Sequence, residues 1–205
     1  MKKCKSKLAL IFILVGALLL AAAGGLYFRQ KAVDRQAGKS IAALLKEYDK
    51  ALSAADIAES DTTVLVNGKA MYGKLIIEEL KLELPVYDTF ENGILKSAPG
   101  RYYGTQEENN LVIAGYNYTD HFGELKLLQV EDEIRFIDVH GTEHLYTVST
   151  VYHIEKNNVG NMKWSDYDLT LFTSNRTGDA RLAVRCERVT EESLLDALVK
   201  QDQTE

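Results

Sequence analysis

The stretch 168–188 sets a hydroxyl and a guanidinium side by side. It reads Asp-Leu-Thr-Leu-Phe-Thr-Ser-Asn-Arg-Thr-Gly-Asp-Ala-Arg-Leu-Ala-Val-Arg-Cys-Glu-Arg. Residues 169–173 are β-rich and hold no breaker. Residues 175–179 supply turn chemistry centred on Gly178. Residues 180–189 alternate, with Leu182, Val184 and Cys186 on one face and Arg181, Ala183, Arg185 and Glu187 on the other. The pattern predicts a β-hairpin. Its first strand ends on Ser174 and its second opens with Arg181, so both stand at one rim of a sheet. A serine there is a nucleophile only if a general base lies beside it. A guanidinium there binds a carbonyl or a carboxylate with or without that chemistry.

A second stretch carries the other chemistry-bearing position. Leu111-Val112-Ile113-Ala114-Gly115-Tyr116-Asn117 runs from an apolar strand into a turn, and His121-Phe122-Gly123-Glu124-Leu125 follows. Together the two stretches resemble the signature motifs of sortases, the membrane-anchored transpeptidases of Gram-positive bacteria. In that family a Thr-Leu-x-Thr-Cys strand ends on the nucleophilic cysteine, and the next strand opens with the catalytic arginine. Thr170-Leu171-Phe172-Thr173 matches the strand, Ser174 stands where the cysteine falls, and Arg181 takes the arginine position. The upstream stretch resembles Val-Ile-Ala-Gly-His-Asn and the Phe-Gly-x-Leu after it, with Tyr116 at the histidine. Leu84-Pro85-Val86 and Arg101-Tyr102-Tyr103-Gly104-Thr105 resemble two further family segments, the latter a loop before the histidine strand. The resemblance covers roughly residues 60 to 190.

The resemblance implies a cysteine that attacks the carbonyl after a threonine in a C-terminal sorting signal. It implies a histidine that moves protons and an arginine that stabilises the oxyanion and the bound peptide. Thr173 and Asn117, beside those positions, are expected to join Arg181 in substrate binding. Two of the three catalytic positions are altered here, and the alterations have physical weight. A thiol has a pKa of about 8.5, and its thiolate is the nucleophile. A serine hydroxyl is far more basic and depends on a neighbouring base. A phenol, with a pKa of about 10, is mostly protonated at neutral pH and serves poorly. A tyrosinate favoured by Arg181 is chemically allowed, as is a swing of His121 towards the site. The ordinary reading of His121 is a loop residue before Phe-Gly. Cys186 shares the Leu182 and Val184 face, which should point inward, and reads as a buried structural cysteine.

Composition narrows the partners. The chain has 205 residues with 24 basic and 30 acidic side chains. Four of the lysines, at positions 2, 3, 5 and 7, precede the first apolar run, which leaves 20 basic residues against 30 acidic ones after residue 28. A nucleic-acid surface needs clustered positive charge, so none is expected. The two cysteines, Cys4 and Cys186, would lie on opposite sides of a membrane and form no disulfide. No Cys/His spacing suits a metal, and no cofactor is expected.

Residues 8–28 carry no charge. A helix of that length spans about 30 Å, the thickness of a bilayer core. The lysines before it predict a cytoplasmic N-terminus and an extracellular remainder. Ala21-Ala22-Ala23 offers a small-residue site for signal cleavage, but the run exceeds an ordinary signal-peptide core and reads as an uncleaved anchor. Residues 40–55 read as an amphipathic helix starting at Ser40, with Ile41, Leu44, Leu45, Tyr48, Leu52 and Ala55 on one face. Asn67-Gly68 between short β-rich runs predicts a hairpin. Strands are expected at 73–80, 82–86, 110–114, 134–139 and 143–154, a loop at 156–164 and a tail helix at 190–199.

The resulting organisation is a basic tail at 1–7, a transmembrane signal-anchor at 8–28, a juxtamembrane helix or stalk at 29–61, a sortase-like domain at 62–190 and a C-terminal tail at 191–205. About eight short strands indicate a closed, mostly antiparallel barrel, and the resemblance implies the eight-stranded β-barrel of sortases. Three functions fit. One is a pseudoenzyme that binds sorting-signal peptides or cell-surface and pilin proteins. Another is an active serine variant using Ser174 and Arg181. The last is a structural membrane-tethered module.

Overall fold

The computed structural model describes residues 2–91, 93–155, 160–163, 165–175 and 178–190. The tail expected to be helical lies outside them. The chain divides into two compact units, Met1–Gln36 and Ala37–Glu205.

A single helix, α1 (Lys2–Ala54), contains both the apolar run at 8–28 and the residues expected to form a separate helix. No start occurs at Ser40. Residues 29–39 contain no proline, and Gln30 donates to Asp34 one turn on at 3.1 Å, so nothing interrupts the backbone ladder; one glycine, Gly38, is tolerated at a modest cost. From Phe12 on, the helix is long and apolar enough to cross a membrane, and the apolar window that makes it so is unburied. Within the second unit, Ala37, Ile41 and Tyr48 are buried at helical spacing. Ile41 enters the main core, while Tyr48, Leu44, Ala51 and Leu52 pack on Val64, Val66, Met71 and Val139.

The described residues form nine strands in one sheet. These are β1 (Val64–Val66), β2 (Lys69–Ile77), β3 (Leu82–Tyr87), β4 (Gly100–Tyr103), β5 (Leu111–Ala114), β6 (Glu133–Asp138), β7 (Glu143–Glu155), β8 (Leu169–Ser174) and β9 (Ala180–Arg188). The order is β1-β2-β3-β4-β5-β8-β9-β7-β6, and β6 pairs back onto β2. Strands β2 to β9 thus close an eight-stranded barrel, as expected, and β1 is an addition on β2. Asn67 and Gly68 turn β1 into β2 with φ of 51° and 77°, the left-handed pair that a two-residue hairpin demands. The segment 101–105, read as a loop, is strand over Arg101–Tyr103, paired with β5. The strand expected over 73–80 ends early: β2 stops at Ile77, and Glu78–Leu80 is a 3-10 turn.

The barrel interior holds Leu75, Ile77, Leu84, Leu111, Ile113, Phe136, Tyr146, Leu169, Leu171, Val184 and Cys186. Strand β7 does not alternate evenly. A bulge at Ser149 shifts its register against β9, with Val148 opposite Cys186 and Thr150 opposite Arg185. The extra residue changes which side chains face inward. Tyr146 and Val148 line the core before the bulge, and Val151 packs against it afterwards.

Candidate functional site

Strand β8 is the spine of the site. It runs parallel to β5, with Ala114 beside Phe172, and antiparallel to β9, with Ser174 opposite Arg181. The Gly115 amide continues the parallel ladder by donating to the Phe172 carbonyl at 3.0 Å. Tyr116 therefore leaves β5 at the level where Ser174 ends β8. The three positions expected at the site share one rim of the barrel.

The turn between β8 and β9 is built by Asn175. Its side-chain oxygen accepts from the amides of Gly178 at 2.7 Å, Asp179 at 3.1 Å and Ala180 at 3.3 Å. Gly178 takes φ of 76°, a left-handed conformation open to glycine without strain. This closure keeps Ser174 and Arg181 as the last ladder pair.

Ser174 and Tyr116 are exposed, Tyr116 at 38 %. Asn117 is exposed beside it. Among the described residues no hydrogen bond joins Ser174, Tyr116 and Arg181. The Tyr116 ring lies against that of Tyr118, centroids 4.5 Å apart and planes tilted by 35°. Arg181 lies half-buried with its guanidinium 5.6 Å from the Phe172 ring. Thr173 sits on the face of β8 opposite Ser174, buried and paired with Leu182 of the core.

His121 is fully buried, and neither ring nitrogen has a hydrogen-bond partner. It meets the edge of Tyr118 at 5.3 Å. Burial pushes its pKa down to about 4, because a charged imidazole loses its hydration there. Both ring nitrogens are closed off from solvent. Cys186 is buried in the barrel interior as expected, and burial pushes its thiol well above the ordinary range.

Behind the rim, the outer face of β8 and β9 is itself covered. Phe172 and Ala183 pack with Val112, Ala114, Ile154 and Met162 of α2 (Gly160–Lys163). Tyr102 meets the Phe172 ring edge-on at 5.2 Å, and Phe90 meets Tyr102 at 4.8 Å. Lys163 caps this cluster, its ammonium 5.4 Å from Tyr102 and 5.5 Å from Tyr103. Farther along the same face, Arg185 is buried. It donates to the hydroxyls of Tyr152 at 3.1 Å, Ser165 at 3.0 Å and Thr170 at 2.5 Å. Phe172, Tyr102, Phe90 and Lys163 were not singled out in the sequence. Phe172 was within reach, since it lies two residues before Ser174 and so on the same strand face. The other three come from a strand read as a loop, a connecting loop and a segment with no motif. Among the described residues no cluster of His, Cys, Asp and Glu side chains could hold a metal ion.

Comparison with known proteins fits this arrangement. The sortase domain model matches residues 75–189, which span both motif strands and more than half of the chain. Sortase C1 of Streptococcus agalactiae is 19 % identical, with a TM-score of 0.53, over 75 % of this chain and 90 % of that one. A sortase D5 transpeptidase of Clostridium perfringens is 17 % identical, with a TM-score of 0.54, over 78 % of this chain and 99 % of that one. Sortase C-1 of Actinomyces oris is 18 % identical, with a TM-score of 0.52, over 72 % of this chain and 98 % of that one. No curated protein sequence matches. A closed barrel whose rim is set by β5, β8 and β9 defines the class, and the chain belongs to the sortase family.

Proposed function

We propose that this sortase-family chain binds a peptide or protein partner at the cell surface without carrying out thiol transpeptidation. The observation that carries the reading is the pairing of Ser174 with Arg181 beside Tyr116 in the absence, among the described residues, of a hydrogen bond linking them. Acyl transfer by serine needs a base within hydrogen-bond reach of the hydroxyl. Tyr116 is a phenol, a poor base at neutral pH, and His121 is enclosed. What stays available is recognition: an exposed hydroxyl, an exposed phenol and a guanidinium on one rim. A guanidinium offers paired donors to a backbone carbonyl or a carboxylate.

In this reading residues 8–28 anchor the chain, with its N-terminus cytoplasmic and the barrel outside. The partners are sorting-signal peptides or cell-surface and pilin proteins. The test is intact mass of the full chain in detergent after incubation with a panel of sorting-signal peptides, alongside Ser174→Ala. No adduct is expected on either, with peptide binding that weakens in Arg181→Ala. An acyl adduct on the parent that Ser174→Ala lacks would make the chain a serine transpeptidase or peptidase instead.

A further inference from the structure

Two cations on the outer face of β8 and β9 are held by aromatic rings rather than by carboxylates. Arg181 lies over Phe172 at 5.6 Å, and Lys163 lies over Tyr102 and Tyr103 at 5.4 and 5.5 Å. The rings between them are continuous, because Phe172 and Tyr102 meet at 5.2 Å and Phe90 closes on Tyr102 at 4.8 Å. Among the described residues neither cation forms a salt bridge. Three other cations of the barrel do, although Lys69, over the Tyr87 ring at 5.6 Å, does not. Arg101 pairs with Asp88, Lys74 with Glu83, and Arg135 with Glu78 and Glu143. The contrast occurs in a chain whose portion after residue 28 has ten more acids than bases, 30 against 20. A ring face attracts a cation but does not neutralise it or use its N–H donors.

We propose that Lys163 and Arg181 form a two-point clamp for an acidic peptide, Lys163 taking a side-chain carboxylate and Arg181 a backbone carbonyl. The aromatic bed between them takes a bulky apolar side chain next to the acid. This assignment rests on the peptide-binding reading of the same rim and narrows it to one ligand class. Phe90, 40 % exposed, supplies the open edge of the bed. Lys163 acts here as a specificity residue, and Arg181 as the contact common to all peptides. Arg185 takes no part, since it is buried and committed to Tyr152, Ser165 and Thr170.

The probe is a set of four fluorescein-labelled peptides of one length. One position is Glu or Gln, and its neighbour is Phe or Ala. Anisotropy is read with the full chain in detergent at low and at high salt. The Glu-Phe peptide is expected to bind about tenfold or more tighter than the Gln-Phe peptide, with the preference shrinking at high salt. Lys163→Gln should shrink that preference, read as the ratio of the Glu-Phe to the Gln-Phe affinity, and Lys163→Arg should restore it. Equal affinity for Glu and Gln peptides would overturn the clamp and leave the peptide-binding reading standing. Failure of all four peptides to bind would overturn both. Self-association that Lys163→Gln abolishes would give the two cations to a second copy of this acidic chain, and would also overturn the peptide clamp.

Discussion

The Gly115 amide donates to the Phe172 carbonyl at 3.0 Å, and this bond sets Tyr116 level with Ser174. The rim is therefore defined by backbone pairing of β5 with β8. Its geometry does not depend on which side chains stand at 116 and 174, so chemistry can be exchanged there without rebuilding the barrel.

Restoring the thiol and the imidazole together should restore acyl transfer. Ser174→Cys alone supplies a nucleophile of which only a small fraction is thiolate at neutral pH. Adding Tyr116→His supplies a base at the adjoining position. Acylation of the double variant by a sorting-signal peptide is expected to be about 100-fold faster than that of Ser174→Cys. Quenched intact-mass time courses measure both. Equal rates would mean that position 116 does not reach position 174.

Gly115→Ala should destabilise the barrel. A Cβ at Gly115 would run into the Phe122 ring, which is fully buried. The ring has no free space to retreat into, so the expected loss is about 1–3 kcal/mol, read as a lowered urea midpoint. An unchanged midpoint would show that the loop behind Tyr116 yields.

Acid should weaken the fold through His121. Its folded pKa is pushed down to about 4, while the imidazole of an unfolded chain titrates at about 6.5. Between those values the unfolded chain holds a proton that the folded chain excludes. The stability is full above about pH 6.5 and declines as pH falls towards about 4, by up to about 3 kcal/mol. Urea midpoints at about pH 7.5 and about pH 5, on either side of the unfolded value, should differ less in His121→Leu than in the parent. The same difference in both would remove His121 as the cause.

Arg185→Lys should be costly despite keeping the charge. The guanidinium reaches three hydroxyls, on Tyr152, Ser165 and Thr170, and lies 5.9 and 5.8 Å from the centres of the Tyr152 and Tyr167 rings. An ammonium cannot hold that planar spread of donors. The expected loss is about 2–3 kcal/mol, measured by thermal or urea unfolding. A loss below about 0.5 kcal/mol would mean that the hydroxyls find other partners.

What the sequence disclosed follows from where local rules act alone. Asn67-Gly68 and the Ser174 to Arg181 hairpin were legible because turn chemistry and alternation are both local. The inward face of Leu182, Val184 and Cys186 followed from parity. The even alternation expected of 143–154 broke at Ser149, since a bulge is fixed by the facing strand and leaves no mark in composition. The covered outer face was hidden for a related reason. Alternation distinguishes two faces of a strand, but whether the second is also buried depends on remote segments, here β4, the loop bearing Phe90 and α2. The continuous α1 was missed because a polar stretch between two apolar ones resembles a linker, although every residue in it tolerates a helix.

The burial of Cys186 has a practical side. With that sulfur sealed in the interior, the described barrel presents no thiol to an alkylating reagent. In a Cys4→Ser background, a cysteine introduced at an exposed position such as 116 or 174 becomes the single addressable tag on the molecule. Spin labels or fluorophores attached there would report on the rim from a silent background, and no native cysteine of the barrel would have to be removed first.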